Sequence, residues 1–67
     1  MQISINGNPK QFQAKNMTIA DLINNLNVVG KRIAIECNGE IVPRSQFANV
    51  MLKEGDKFEI VGAVGGG

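Results

Sequence analysis

Sixty-seven residues, 43% of them apolar and 19% charged, make one domain with one small core, with little room for a deep substrate pocket as well. A formal charge of +1 gives no basic footprint for nucleic acid, and three aromatics (Phe12, Phe47, Phe58) are too few for a base-stacking platform. There is no histidine, which excludes Ser-His and Cys-His nucleophilic pairs, and Cys37 is the only cysteine, so no disulfide forms within the chain.

QISIN (residues 2–6) alternates polar and apolar, placing Ile3 and Ile5 on one face of a strand. Asn6-Gly7 follows, a hairpin signal because both residue types tolerate positive φ. KQFQA (10–14) reads as the return strand, with Phe12 and Ala14 on one face. The period then changes. Ile19, Leu22, Ile23 and Leu26 fall at i, i+3, i+4 and i+7, the apolar stripe of a helix whose other side shows Asn24 and Asn25. Thr18 is the expected N-cap, Asp21 lies in the first turn where the helix dipole favours negative charge, and Gly30 with Lys31 and Arg32 marks the stop.

RIAIEC (32–37) alternates again, with Ile33, Ile35 and Cys37 inward. NGE turns the chain into Ile41 and Val42, where Pro43 keeps any strand short. Residues 44–50 form a connector with one helical turn, anchored by Phe47. VML is a further short strand, KEGD a turn, and KFEIV (57–61) the last strand, with Phe58 and Ile60 on one face. The N-terminus lacks the charged start and apolar run of a signal peptide, and no stretch approaches the ~20 apolar residues that span a bilayer. With a single cysteine, a reducing, cytoplasmic setting is expected.

The order is a hairpin, one helix, and further strands. The helix stripe can be buried only against a sheet face. The helix then acts as a crossover, and right-handed connection makes the third strand parallel to the first. The expected fold is α+β: a β-grasp (ubiquitin-like) arrangement, a mixed sheet of four to five strands around one helix. Its core is Ile3, Ile5, Phe12, Leu22, Leu26, Ile33, Ile35 and Ile60. Residues 1–61 are the β-grasp domain and 62–67 a flexible glycine tail.

Chemistry-bearing clusters are scarce. The six acids (Asp21, Glu36, Glu40, Glu54, Asp56, Glu59) fall in turns or on outward positions and read as solvated charges. They show no metal-ligand spacing, so no metal site is expected. Cys37 shares parity with Ile33 and Ile35, which makes it a small core hydrophobe rather than a reactive thiol. That leaves VGAVGGG (61–67). Its glycines join directly to a strand, and no helix N-terminus follows them, so they form no phosphate cradle. Six extended residues from Gly62 reach ~20 Å at roughly 3.3–3.6 Å each. A terminal glycine leaves its carbonyl unhindered and passes a narrow channel.

Over its whole length, through ISING, TIADLINNL, NGEIVPRSQF, KEGDKFEIV and the closing VGGG, the chain resembles the ThiS-family sulfur carriers of thiamine biosynthesis. The terminal Gly66-Gly67 pair is the specific part of the likeness, and Gly65 is an additional glycine before it. The resemblance implies a protein co-substrate without intrinsic catalysis. Its Gly67 carboxylate would be adenylated and converted to a thiocarboxylate. It implies a ThiF-like adenylating enzyme that uses ATP and Mg²⁺, a cysteine desulfurase system as sulfur source, and a ThiG-like thiazole synthase as acceptor. The carrier itself binds no cofactor on this reading. Val61, Ala63 and Val64, apolar where the chain leaves its core, are the expected docking residues. Alternatives that share the fold are the small subunit of molybdopterin synthase, a ubiquitin-related modifier, and an adaptor with an inert tail.

Overall fold

The computed structural model describes residues 1–27 and 33–62. Gly30, Lys31 and Arg32, expected at the helix stop, lie outside those residues, as do Ala63, Val64, Gly65, Gly66 and Gly67.

The chain runs β1 (Gln2–Ile5), β2 (Asn8–Gln11), α1 (Ile19–Asn25), β3 (Ile33–Cys37), β4 (Glu40–Val42), a 3₁₀ turn (Arg44–Gln46) and β5 (Lys57–Gly62). The five strands form one sheet in the order β2-β1-β5-β3-β4. Both hairpins close through Asn-Gly with positive φ at each residue, 52° and 85° at Asn6-Gly7 and 52° and 88° at Asn38-Gly39. These are the two-residue turns whose twist matches that of the flanking strands.

That turn also sets where the return strand begins. Ile5 pairs with Asn8, so β2 starts directly after Gly7 and ends at Gln11, not across Lys10–Ala14 as the alternation suggests. A two-residue turn fixes the register, and apolar parity cannot move it. Pro9 is accommodated because β2 is the sheet edge. Phe12 extends the pairing through its backbone bonds to Met1, at 2.8 and 2.7 Å, and Ala14 is exposed.

The seven-residue helix is too short to be stable alone and depends on what it packs against. Ile19 and Leu22 are fully buried and Ile23 nearly so. Its N-terminus is capped as expected. Thr18 Oγ1 accepts from the Asp21 amide at 3.1 Å, and Asp21 Oδ2 accepts from the Thr18 amide at 3.0 Å, a reciprocal capping box. The two amides ahead of Asp21 donate to the connector: Ile19 to the Val50 carbonyl at 3.0 Å and Ala20 to that of Phe47 at 2.9 Å. The helix stops at Asn27, which takes φ 61°, the left-handed conformation that ends helices.

One correction concerns direction. β5 is the strand parallel to β1, and β3 runs antiparallel to β5, hence antiparallel to β1. The connection rule applies to the strands that the helix joins, and α1 follows β2. β2 and β3 are accordingly parallel to each other, with β1 and β5 between them.

The core lies between α1 and one sheet face. It comprises Ile3, Met17, Ile19, Leu22, Ile23, Ile35, Leu52 and Phe58, all buried. Ile5, Phe12, Leu26, Ile33 and Ile60, expected in the core, are partly buried against it. Met17 and Leu52 join through the connector: the Leu52 amide donates to the Met17 carbonyl at 2.7 Å. Met51 forms only an isolated bridge with Thr18 where a short strand is predicted.

Candidate functional site

β5 is the last strand of the described residues and is built asymmetrically. On one edge, β3 pairs with it from Cys37 opposite Phe58 to Ile33 opposite Gly62. On the other edge, β1 accompanies only Lys57 and Phe58. The strand includes Gly62, one residue beyond the alternating pattern, because Ile33 offers it a backbone partner whatever its side chain. A Cβ at Gly62 would meet nothing within 4 Å, so packing does not demand glycine there.

Alternation sorts the β5 side chains. Phe58 and Ile60 face the helix; Glu59 and Val61 face outward. Val61, 61% exposed, stands opposite Ala34, and Ile41, 65% exposed, stands opposite Glu36 on the same outer face. Val61 is therefore an apolar side chain in solvent at the end of the strand. Its two companions in the sequence reading, Ala63 and Val64, lie outside the described residues, as do Gly65, Gly66 and Gly67.

The start of β5 is fixed by a network that alternation does not reveal. Asp56 is buried, in contrast to its reading as a solvated charge. Its carboxylate accepts from the Lys53 amide at 2.8 Å and from Asn38 Nδ2 at 3.0 Å, and Asn38 Oδ1 accepts from the Lys57 amide at 3.0 Å. A carboxylate so placed is satisfied by donors rather than by water. Glu54 is engaged as well, since both its oxygens accept from the Gln2 amide.

Cys37 packs against the core beside this network, and Asn38 Nδ2 lies 3.6 Å from its Sγ. Burial pushes its thiol pKa up and the Asp56 carboxylate pushes the same way; Lys53 pulls against them, and Glu40 adds a smaller push. A thiol held in its neutral form is a weak nucleophile. Among the described residues no three of His, Cys, Asp and Glu gather as a metal site, and no helix is long and apolar enough to cross a membrane.

Asn6 is the site residue that sequence reasoning assigned only to a turn. Its Nδ2 donates to the Ile60 carbonyl at 3.1 Å, and its Oδ1 accepts from the Ile60 amide at 2.8 Å.

The ThiS family model matches residues 3–67. The chain belongs to the ThiS family. The sulfur carrier protein ThiS of Bacillus subtilis is 32% identical over 65 residues, covering 97% of this chain and 98% of its own. The crystal structure of the thiamine biosynthesis protein ThiS from Geobacter metallireducens superposes with a TM-score of 0.84 at 28% identity, over 91% of each chain. The five-stranded sheet with one helix is therefore the β-grasp fold of ThiS. A thiazole synthase from Paramagnetospirillum magneticum is 45% identical over all 67 residues. This ThiS-family chain spans about one fifth of the length of that protein, and likewise of a thiazole synthase from Magnetococcus marinus.

Proposed function

We propose that this chain is a sulfur carrier for formation of the thiamine thiazole, with the carboxyl carbon of Gly67 as its reacting centre. The observation that carries the reading is the family match, which runs through residue 67 and so takes in the glycines with the fold.

The chemistry divides between carrier and partners. A carboxylate is a poor electrophile. A ThiF-like enzyme, with ATP and Mg²⁺, converts it to an acyl-adenylate and releases pyrophosphate. A persulfide from a cysteine desulfurase system attacks the acyl carbon, and AMP leaves. A thiol then attacks the outer sulfur of the acyl disulfide. A new disulfide forms and the thiocarboxylate remains on Gly67. Glycine leaves that carbon open to attack and keeps the last residues narrow. A ThiG-like thiazole synthase is the acceptor, a role supported by thiazole synthases that contain a segment like this chain. The carrier is co-substrate and catalysis belongs to its partners. Val61, Ala63 and Val64 dock against them, with Val61 exposed where the strand ends. A reducing, cytoplasmic setting suits this chemistry.

The experiment is intact-protein mass after incubation with the adenylating enzyme, ATP, a desulfurase and cysteine. The expected result is one oxygen-for-sulfur exchange at the C-terminus, and none in a chain extended by one alanine. Thiolation of the extended chain at the wild-type rate would overturn the mechanism. Lysine-linked conjugates in place of the exchange would make the chain a modifier.

A further inference from the structure

The parallel ladder between β1 and β5 stops early. The Ser4 amide donates to the Asp56 carbonyl at 3.0 Å and the Asn6 amide to that of Phe58 at 2.8 Å. After Asn6 the backbone turns away through Gly7 into β2. The next β5 groups on this edge are the N–H and C=O of Ile60. Both are met by one side chain: Asn6 Oδ1 accepts from the amide at 2.8 Å, and Asn6 Nδ2 donates to the carbonyl at 3.1 Å. A carboxamide has the donor and acceptor of a peptide unit. Asn6 thus stands in for the peptide that β1 would supply if it went on.

The turn alone does not require this. Glycine accepts φ 52° more readily than asparagine, and Gly-Gly closes such a turn too. The two bonds are also exposed, so water competes for them and they add little to global stability. Their content is geometric. They extend the two-sided hold on β5 from Phe58 to Ile60, two residues from the strand's end at Gly62. A strand end held on one edge twists and frays about that edge; one held on both has a fixed direction.

We infer that Asn6 is a positioning residue: its carboxamide sets the direction in which the chain leaves β5 toward Gly67. The link to reaction rests on the sulfur-carrier reading; the hold itself does not. Docking of the folded body is left alone, and the fraction of docked complexes whose last residue is seated falls when the hold is lost. Misplacement remote from the chemistry acts on turnover in this way.

The test uses the full chain with Asn6→Gly, which keeps the turn and removes the carboxamide. Asn6→Asp keeps one acceptor oxygen and sets the other against the Ile60 carbonyl. Amide hydrogen exchange is read at Ile60, with Lys57, held by Asn38, as the internal reference. Thiolation is read as kcat, with carrier affinity for the adenylating enzyme measured separately. The expected result is exchange at Ile60 faster by about tenfold or more with Lys57 unchanged, local opening without global unfolding. With it, kcat falls by roughly three- to tenfold at unaltered affinity and melting midpoint. Unchanged exchange at Ile60 overturns the hold. Faster exchange with unchanged kcat overturns its role in positioning, and a proportionate fall in midpoint and affinity makes Asn6 merely structural. If the wild-type chain is not thiolated at all, sulfur carriage fails, and the positioning role with it, while the exchange data still judge the hold.

Discussion

Asn6-Gly7 and Asn38-Gly39 close two hairpins with nearly the same backbone, φ 52° and 85° in one and 52° and 88° in the other, and each asparagine bonds to β5. Asn38 holds the beginning of the strand and Asn6 the part nearer its end. Asn38 works beside a buried carboxylate: Asp56 takes its Nδ2 and the Lys53 amide in part-buried bonds, while the Asn38 bond to the Lys57 amide is exposed. Asn6 works in solvent, directly on a peptide group. Low dielectric strengthens the first set and leaves the second weak. The same dipeptide therefore stabilises at one end of a strand and steers at the other. Burial of the partner decides which.

Removing what the two ends share should have the largest effect. Leu22 is fully buried beneath the sheet, and Leu22→Ala is expected to cost about 2–5 kcal/mol, read by denaturant unfolding. Both ends of β5 should loosen together. A loss well under ~1 kcal/mol would mean that the helix is not the foundation of either.

Next come changes confined to the beginning of the strand. Asp56→Ala leaves Asn38 Nδ2 and the Lys53 amide without their acceptor, and should cost about 2–3 kcal/mol. Asn38→Gly keeps the turn and loses the side-chain bonds, for about 1 kcal/mol. In both, amide exchange should rise at Lys57 more than at Ile60. Equal rises would erase the distinction between the two ends.

The contrast also marks what the sequence displays. Local features were legible: both Asn-Gly turns, the helix stripe at Ile19, Leu22 and Ile23, the Thr18 cap, and the alternation in β1, β3 and β5. These depend on neighbours a few residues apart. The insertion of β5 between β1 and β3 was not legible, because which strand pairs with which leaves no mark on the period of either. The burial of Asp56 was hidden for a related reason. Its Lys53 donor lies three residues back in the same turn, but Asn38 meets it only when the turn before β5 folds against the turn after β3. Leu52 and Met17 belong to segments with no period at all, and are buried because the connector clasps the helix start. The glycine tail was legible as composition, and Asn6 only as a turn former, since its second role lies 54 residues away.

At the far end of β5, Val61→Lys should leave stability within about 0.5 kcal/mol, since the side chain is exposed on the outer face. It should weaken binding to the adenylating enzyme, measured by calorimetry. Unchanged affinity would remove Val61 from the docking surface and leave the steering role of this end to Asn6 alone.

The smallest effect is expected at Cys37, which sits beside Asn38 and has no counterpart near Asn6. Burial, then the Asp56 carboxylate, raise its thiol pKa, with Glu40 adding to them and Lys53 opposing. The folded state therefore favours the neutral thiol. Any stability this contributes is present below the pKa of the unfolded thiol and fades as pH rises through the higher folded value, on the alkaline side of neutrality. At neutral pH iodoacetamide should alkylate the native chain more slowly than the urea-unfolded chain, and the ratio should narrow as pH rises. Cys37→Ala should keep sulfur loading at Gly67 at the wild-type rate, because the thiol is neutral and committed to packing. Alkylation faster in the native chain than in the unfolded one would show a thiolate where desolvation forbids it. Loss of loading in Cys37→Ala at wild-type stability would move sulfur chemistry from the tail to the beginning of β5.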